Sequence, residues 1–341
     1  MKLASPICVA LATLMNSTGC GDGPLDPGVG GSGLAYIVTS DPYRLVVLET
    51  DTQQEVNKIS LTPVPRGVAV TPDGSHVYVT TLPNTVQVIE TASNRVVMNV
   101  DVGMSPWTVT VSPDGGFAYV GNLGDSTISV IETPGFRSVS GIFARGANTV
   151  IATVKLSSGV VGIAFTPLGD YAYVTSQRTD MVSVIETTNH TVVAEIPVGI
   201  LPQLVAITPD GERAYVANFG SDDISVIEIA SMTIAGTIDL SENGDGPFGI
   251  VITRDGSSAY VTNFLSSNIS VIDIASGNIV TTIEIGRVGT GIAMSPRGDL
   301  LYVTSLDQGV TVIDTETNTV KETIAVPGTT NGIAVGPSTT S

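Results

Sequence analysis

The most regular pattern in the chain is a short apolar run that returns seven times. The copies are Ile37-Val38-Thr39-Ser40, Tyr78-Val79-Thr80-Thr81, Tyr119-Val120-Gly121-Asn122, Tyr173-Val174-Thr175-Ser176, Tyr215-Val216-Ala217-Asn218, Tyr260-Val261-Thr262-Asn263 and Tyr302-Val303-Thr304-Ser305. They start 41, 41, 54, 42, 45 and 42 residues apart. Each copy lies in a unit of four strand-like runs, here labelled A to D. In the unit from Gly249 to Glu284, Gly249–Ile252 is a short apolar strand A, and Thr253-Arg254-Asp255-Gly256 is a tight hairpin with Gly where positive φ is needed. Ala259–Asn263 is strand B, Ile269–Asp273 is a strand C alternating in period two, and Asn278–Ile285 is strand D.

One such unit cannot bury both of its faces, so the units must stack on one another. Four strands in about 42 residues is the size of a propeller blade. The expected fold is therefore all-β: a seven-bladed β-propeller with four-stranded antiparallel blades. Charges on strand D in every copy (Lys58, Asp101, Lys155, Glu195, Asp239, Glu284 and Lys321) suit an outer edge that must not pair with other chains. The repeat opens on strand B at Ile37 and closes on a lone strand A, Gly332–Val335. The ring should thus be closed by the C-terminal strand joining the N-terminal blade.

Tyr260-Val261-Thr262-Asn263, with the hairpins Thr71-Pro72-Asp73-Gly74, Ser112-Pro113-Asp114-Gly115 and Thr208-Pro209-Asp210-Gly211, resembles the YVTN-type β-propeller family of secreted and surface-layer proteins. The resemblance covers residues 34 to 337 and implies the fold. It says little about activity, because one fold hosts many.

Lys2 followed by the apolar run Leu3 to Met15, too short to cross a bilayer, reads as a targeting segment. Ser17-Thr18-Gly19-Cys20 then resembles the bacterial lipoprotein signal, in which the cysteine is lipidated. The expected organisation is a lipoprotein-type signal peptide over 1–19, a Gly-rich tether over 20–33 and the propeller over 34–341. That places the protein outside the cytoplasm, on the bacterial cell envelope, anchored through Cys20; secretion after ordinary cleavage is the alternative. Cys8 and Cys20 are the only cysteines, and processing at Gly19 leaves no pair for a disulfide. A net charge of -18 repels nucleic-acid phosphates and anionic lipid, so nucleic acid is not an expected partner and membrane contact comes only through the anchor.

Positions that recur in every unit serve packing and turns; a position that varies is free to specialise. One such slot lies two residues before the first branched apolar residue of strand A, and holds Arg66, Trp107, Val161, Gln203, Phe248, Thr290 and Asn331. Strand A is innermost in a propeller, so these side chains should ring one mouth of the central channel. The B–C loops, among them Pro42-Tyr43-Arg44, Gln177-Arg178, Phe219–Asp223 and Phe264-Leu265, belong to the same face. Aromatic walls with a few donors and one cation suit a small polar ligand, a glycan or a protein. Arg66, Trp107, Gln203, Phe248, Thr290 and Asn331 are accordingly the candidate ligand-binding residues; a solvated rim of incidental variety is the other reading.

His76 and His190 fall on the opposite face and read as surface residues. No nucleophile elbow, HExxH helix or CxxC pair occurs, and the rim slot offers no haem or redox-metal ligand. No residue is assigned as catalytic. The expected function is a non-catalytic propeller that binds through its channel mouth; the alternative is a lactonase-like or lyase-like hydrolytic enzyme using Asp222, Asp223 or Asp307 from loops. The one cofactor that the sequence suggests is Ca²⁺. Asp239, Ser241, Asn243 and Asp245 alternate as in a Ca²⁺ loop with Gly244 at the sixth place, although Ile250 stands where the closing acid belongs. The other reading there is a plain acidic D–A loop. The longest insertion, Pro134–Asn148, carries Phe136, Arg137, Phe143 and Arg145 without an acid, as either a docking loop or a tolerated surface insertion.

Overall fold

The computed structural model describes residues 33–134, 148–306 and 309–337. Its 28 strands form seven antiparallel sheets of four, which are the seven blades. In sequence order A to D, blade 2 is Pro65–Val70, His76–Thr81, Thr85–Glu90 and Arg95–Asp101, and blades 3 to 7 repeat that plan. The signal segment 1–19, the tether to residue 32, Phe136, Arg137, Phe143, Arg145 and Asp307 lie outside the described residues. Among the described residues no helix is long and apolar enough to cross a membrane.

Blade 1 closes the ring as expected: its strand order is Thr329–Pro337, Gly33–Ser40, Arg44–Glu49, Glu55–Ser60. The closing strand is nine residues long and so exceeds the expected Gly332–Val335 at both ends. It follows its partner along the whole length, from Ser40↔Thr329 to Gly33↔Pro337. Both ends of the described chain therefore meet at the end of the ring that carries the A–B hairpins.

Strands B and C are apolar on both faces because each face packs against a different neighbour. Ala35 and Ile37 enter the core shared with blade 7, while Tyr36 and Val38 enter the core shared with blade 2. Seven such clusters occur, one between each pair of neighbouring blades. All seven charged residues noted on strand D are exposed.

The recurring motif residues each hold something. Thr80 Oγ1 accepts the Gly67 N–H at 2.8 Å and donates to the Trp107 carbonyl of the next blade at 3.4 Å, tying the inner strands together. Thr304 does the same for Gly291 and Asn331, at 2.8 and 3.4 Å. Inner strands approach so closely that a Cβ on Gly162 would lie 2.6 Å from the Gln203 carbonyl oxygen, which is why Gly stands there.

In blade 1 the register puts Tyr36, not Ile37, in the tyrosine slot, Tyr36 pairing with Ala334 as Tyr78 pairs with Ala69. At the hairpin end the tyrosine of each blade is buried against the neighbouring blade. Tyr78 Oη donates to Asn148 Oδ1 at 2.6 Å, and Tyr260 Oη to Asn318 Oδ1 at 2.6 Å. Both asparagines sit in C–D turns with positive φ, 65° and 53°, a conformation Asn tolerates. His190 fills the corresponding place in blade 4, at φ 56°, with its Nδ1 2.7 Å from Tyr119 Oη and its ring edge-on to Phe117 at 5.3 Å. It is thus half-buried in an inter-blade contact rather than a surface residue, and burial holds its pKa below the ordinary histidine value. Met232 fills that place in blade 5 and packs beside Tyr173, whose hydroxyl is buried without a partner. His76 remains at the hairpin end, with Nδ1 2.9 Å from Ser75 Oγ.

Candidate functional site: the channel mouth

At the other end of the ring, strand A of every blade contributes to one cavity of about 390 Å³. That size lies within the usual range for small-molecule pockets, roughly 300–1,000 Å³. Arg66, Trp107, Val161, Phe248, Thr290 and Asn331 all line it. Gln203 does not. It is buried, with Nε2 donating to the Leu201 carbonyl at 3.0 Å, and the next residue, Leu204, takes its place in the wall.

Two of the polar rim residues are committed to the scaffold. Thr290 Oγ1 reaches the carbonyls of Thr304 and Thr330, each at 3.2 Å, and so bridges blades 7 and 1. Asn331 Nδ2 donates to Ser40 Oγ at 2.6 Å and to the Pro65 carbonyl at 3.3 Å, across the seam between blades 1 and 2. Arg66 differs: its guanidinium carbon stands 5.1 Å from the centre of the Trp107 ring, a cation–π distance, and its Nε is buried without a hydrogen-bond partner. No Asp, Glu or His lines the cavity among the described residues, so Arg66 is its one charged wall residue there.

Aromatic side chains form the opposite wall. Phe264 lies 5.9 Å from Phe248 and 6.0 Å from Phe219, centre to centre, which links the cavity to the B–C loop of blade 5. Leu306 stands in the same loop position as Phe264, one residue after the motif strand, and also lines the cavity. Thr108 and Leu204 carry no signal in the sequence pattern that marks them as lining, whereas Leu306 occupies the position after the motif copy that Phe264 occupies in blade 6.

The loop carboxylates are turned to other uses. Asp222 Oδ1 accepts the Gly246 N–H at 2.7 Å, and Asp223 Oδ1 accepts from Asn218 Nδ2 at 2.6 Å. In the loop Asp239–Asp245, Asp239 is exposed and accepts hydrogen bonds from the Ser241 side chain and backbone, which hold its carboxyl below the usual range. Gly244 is explained by close packing, since a Cβ there would fall 2.0 Å from Asn263 Nδ2. Among the described residues no three His, Cys, Asp or Glu side chains gather as metal ligands would.

Known structures share this architecture. A functionally unknown protein from Desulfotomaculum acetoxidans is similar at 23% identity with TM-score 0.76, over 90% of this chain and 100% of that one. A proposed 6-phosphogluconolactonase from Bacteroides uniformis is similar at 16% identity with TM-score 0.73, over 89% and 99% of the two chains. Hydrazine synthase from Kuenenia stuttgartiensis is similar at 19% identity with TM-score 0.70, over 82% and 97%. At these identities the likeness concerns the fold alone. No curated protein matches the chain. The family described as lactonase, 7-bladed beta-propeller, matches residues 81–278 and 202–305, which together span more than half the chain, and the chain belongs to that family.

Proposed function

We propose that this protein is a non-catalytic binding propeller of the cell envelope, anchored by lipid on Cys20, that holds a small ligand in the mouth cavity. One observation carries the reading. A cavity built from all seven blades offers aromatic walls and an unpaired guanidinium, yet its described lining has no carboxylate or imidazole to activate water. Within the family, the repeats are read as the YVTN type.

The family match favours a second reading, lactone hydrolysis, with Asp307 as the base because it follows the cavity-lining Leu306 in sequence. A panel of sugar lactones, including 6-phosphogluconolactone, separates the two when incubated with purified protein with and without divalent cations. The binding reading expects no hydrolysis above that of an Asp307→Asn variant. Turnover that this substitution abolishes overturns it in favour of the enzyme. The anchor is tested separately: metabolic labelling with a fatty acid should tag the protein, and Cys20→Ala should remove the tag. An unlabelled protein released in soluble form defeats that part.

A further inference from the structure

Resting on the binding reading above, we infer that the ligand is an amphipathic organic monoanion, with one carboxylate seated on Arg66 and an apolar, ring-bearing body laid against Phe248 and Phe264. A guanidinium loses much of its hydration on burial and recovers that cost only when its N–H groups find acceptors. Arg66 Nε is buried with no acceptor among the described residues, and no carboxylate lines the cavity to pair with it. The chain carries 32 acidic residues, so a cation without one is a local exception to the surrounding charge.

Trp107 holds the guanidinium carbon 5.1 Å from its ring centre without using any N–H group. Stacking of this kind occupies the guanidinium face and, with Nε buried, leaves the terminal Nη1–Nη2 edge for a two-pronged carboxylate bond. The arginine is thus pre-positioned by a contact that does not compete with the ligand.

The rest of the wall decides the body of the molecule. A polyhydroxylated ligand needs many donors and acceptors, but Thr290 and Asn331 already spend their donors on the scaffold. The remaining wall is largely hydrocarbon. Phe248 and Phe264 face across the mouth from Arg66 and Trp107 in the ring order, blade 6 against blades 2 and 3, with Leu306 beside them from blade 7. Such a wall returns little to a sugar acid and much to a phenyl or indole ring.

Four probes of known structure test this on the purified propeller: 3-phenylpropionate, its neutral amide 3-phenylpropanamide, the cation 3-phenylpropylamine, and gluconate as a monoanion without an apolar body. Ligand-observed NMR reports binding, and the emission of Trp107, the only tryptophan, reports its place. The expected result is saturable binding of 3-phenylpropionate with a shift in Trp107 emission, and affinity lower by about tenfold or more for each of the others, the loss expected when one charge-assisted bond or the ring contact is removed. Arg66→Gln should erase the advantage of the acid over the amide, and Phe264→Ala should weaken acid and amide alike. Equal binding of amide and acid by the wild-type protein overturns the anion assignment while the binding cavity stands, and gluconate binding as well as 3-phenylpropionate overturns the apolar body. If no member of the series binds, the binding reading itself falls and takes this inference with it. These comparisons use the wild-type chain and do not depend on any variant folding.

Discussion

The two ends of the ring use the same repeat in opposite ways. At the hairpin end a tyrosine recurs in all seven blades, is buried, and in four of them bonds to the next blade. At the mouth end the corresponding inner-strand slot holds seven different residues, and six of them line one cavity. Inter-blade bonds are concentrated where the repeat is regular, and the proposed ligand site lies where it is not. A propeller can therefore change its ligand with little effect on its fold, provided the variable residues do not also hold blades together. Thr290 and Asn331 break that separation, since both bridge blades.

The largest effect should come from the seam. Removing residues 332–341 takes Ile333 and Val335 out of the core between blades 7 and 1 and leaves Gly33–Ile37 unpaired on one side. At roughly 1.5–3 kcal/mol for each large apolar side chain, before lost hydrogen bonds, the melting temperature should fall by about 10 °C. Removing residues 21–31 should leave it in place, and equal melting of the two truncations would refute closure by end-pairing.

Next in size is the tyrosine contact. Tyr78→Phe strips Asn148 of its donor in a buried place and should cost about 1–3 kcal/mol in chemical denaturation. Tyr173→Phe removes a buried hydroxyl that has no partner and should be neutral or stabilising. Equal costs for the two substitutions would mean that packing, not the hydroxyl bond, holds the blades at this end.

Acid should weaken the His190 contact. Burial lowers the folded pKa of His190 from 6.5, so the unfolded chain takes up a proton first as pH falls. The stability it contributes is complete above the unfolded value and is lost as pH drops through about 6.5 toward the lower folded value. His190→Asn, which places in blade 4 the residue that serves blades 3 and 7, should flatten that part of the pH–stability curve. A slope unchanged by the substitution would assign the acid sensitivity to other groups.

The smallest shift should follow Arg66→Gln. Its guanidinium stacks on Trp107 but its Nε satisfies no acceptor, so the melting temperature should stay within about 2 °C of wild type while anion binding is lost. A large loss of stability would make Arg66 a scaffold residue and undo the contrast between the two ends.

The blades were legible because period-two apolar runs and Asp-Gly hairpins are local signals repeated seven times. Closure was legible from one unmatched strand at each end. The rim was only partly so: an irregularity between Pro202 and Val205 separates the Pro202↔Asn218 pair from the other three ladder pairs of that strand, and the side chain that reaches the cavity there is Leu204, not Gln203. Every blade shares that shift, so spacing alone could not reveal that Gln203 folds back on the Leu201 carbonyl. The sequence hides the contact of His190 for a related reason. Its partner Tyr119 lies 71 residues away in the preceding blade, and only the stacking of blades brings the two together. Leu306 shows the reverse case: it stands one residue after the motif strand, as Phe264 does, so its place is legible in the repeat itself.

The pairing of Gly33 with Pro337 has a further meaning for the architecture. In the other blades, strands A and B are joined by a hairpin such as Thr71–Ser75; in blade 1 that single link is missing and nothing else is. Supplying it, and cutting the chain instead in the C–D turn between Glu90 and Arg95, would give a circular permutant with the same seven inter-blade cores and the same mouth. Where the polypeptide starts is thus a matter of gene order, and the ring itself has no first blade.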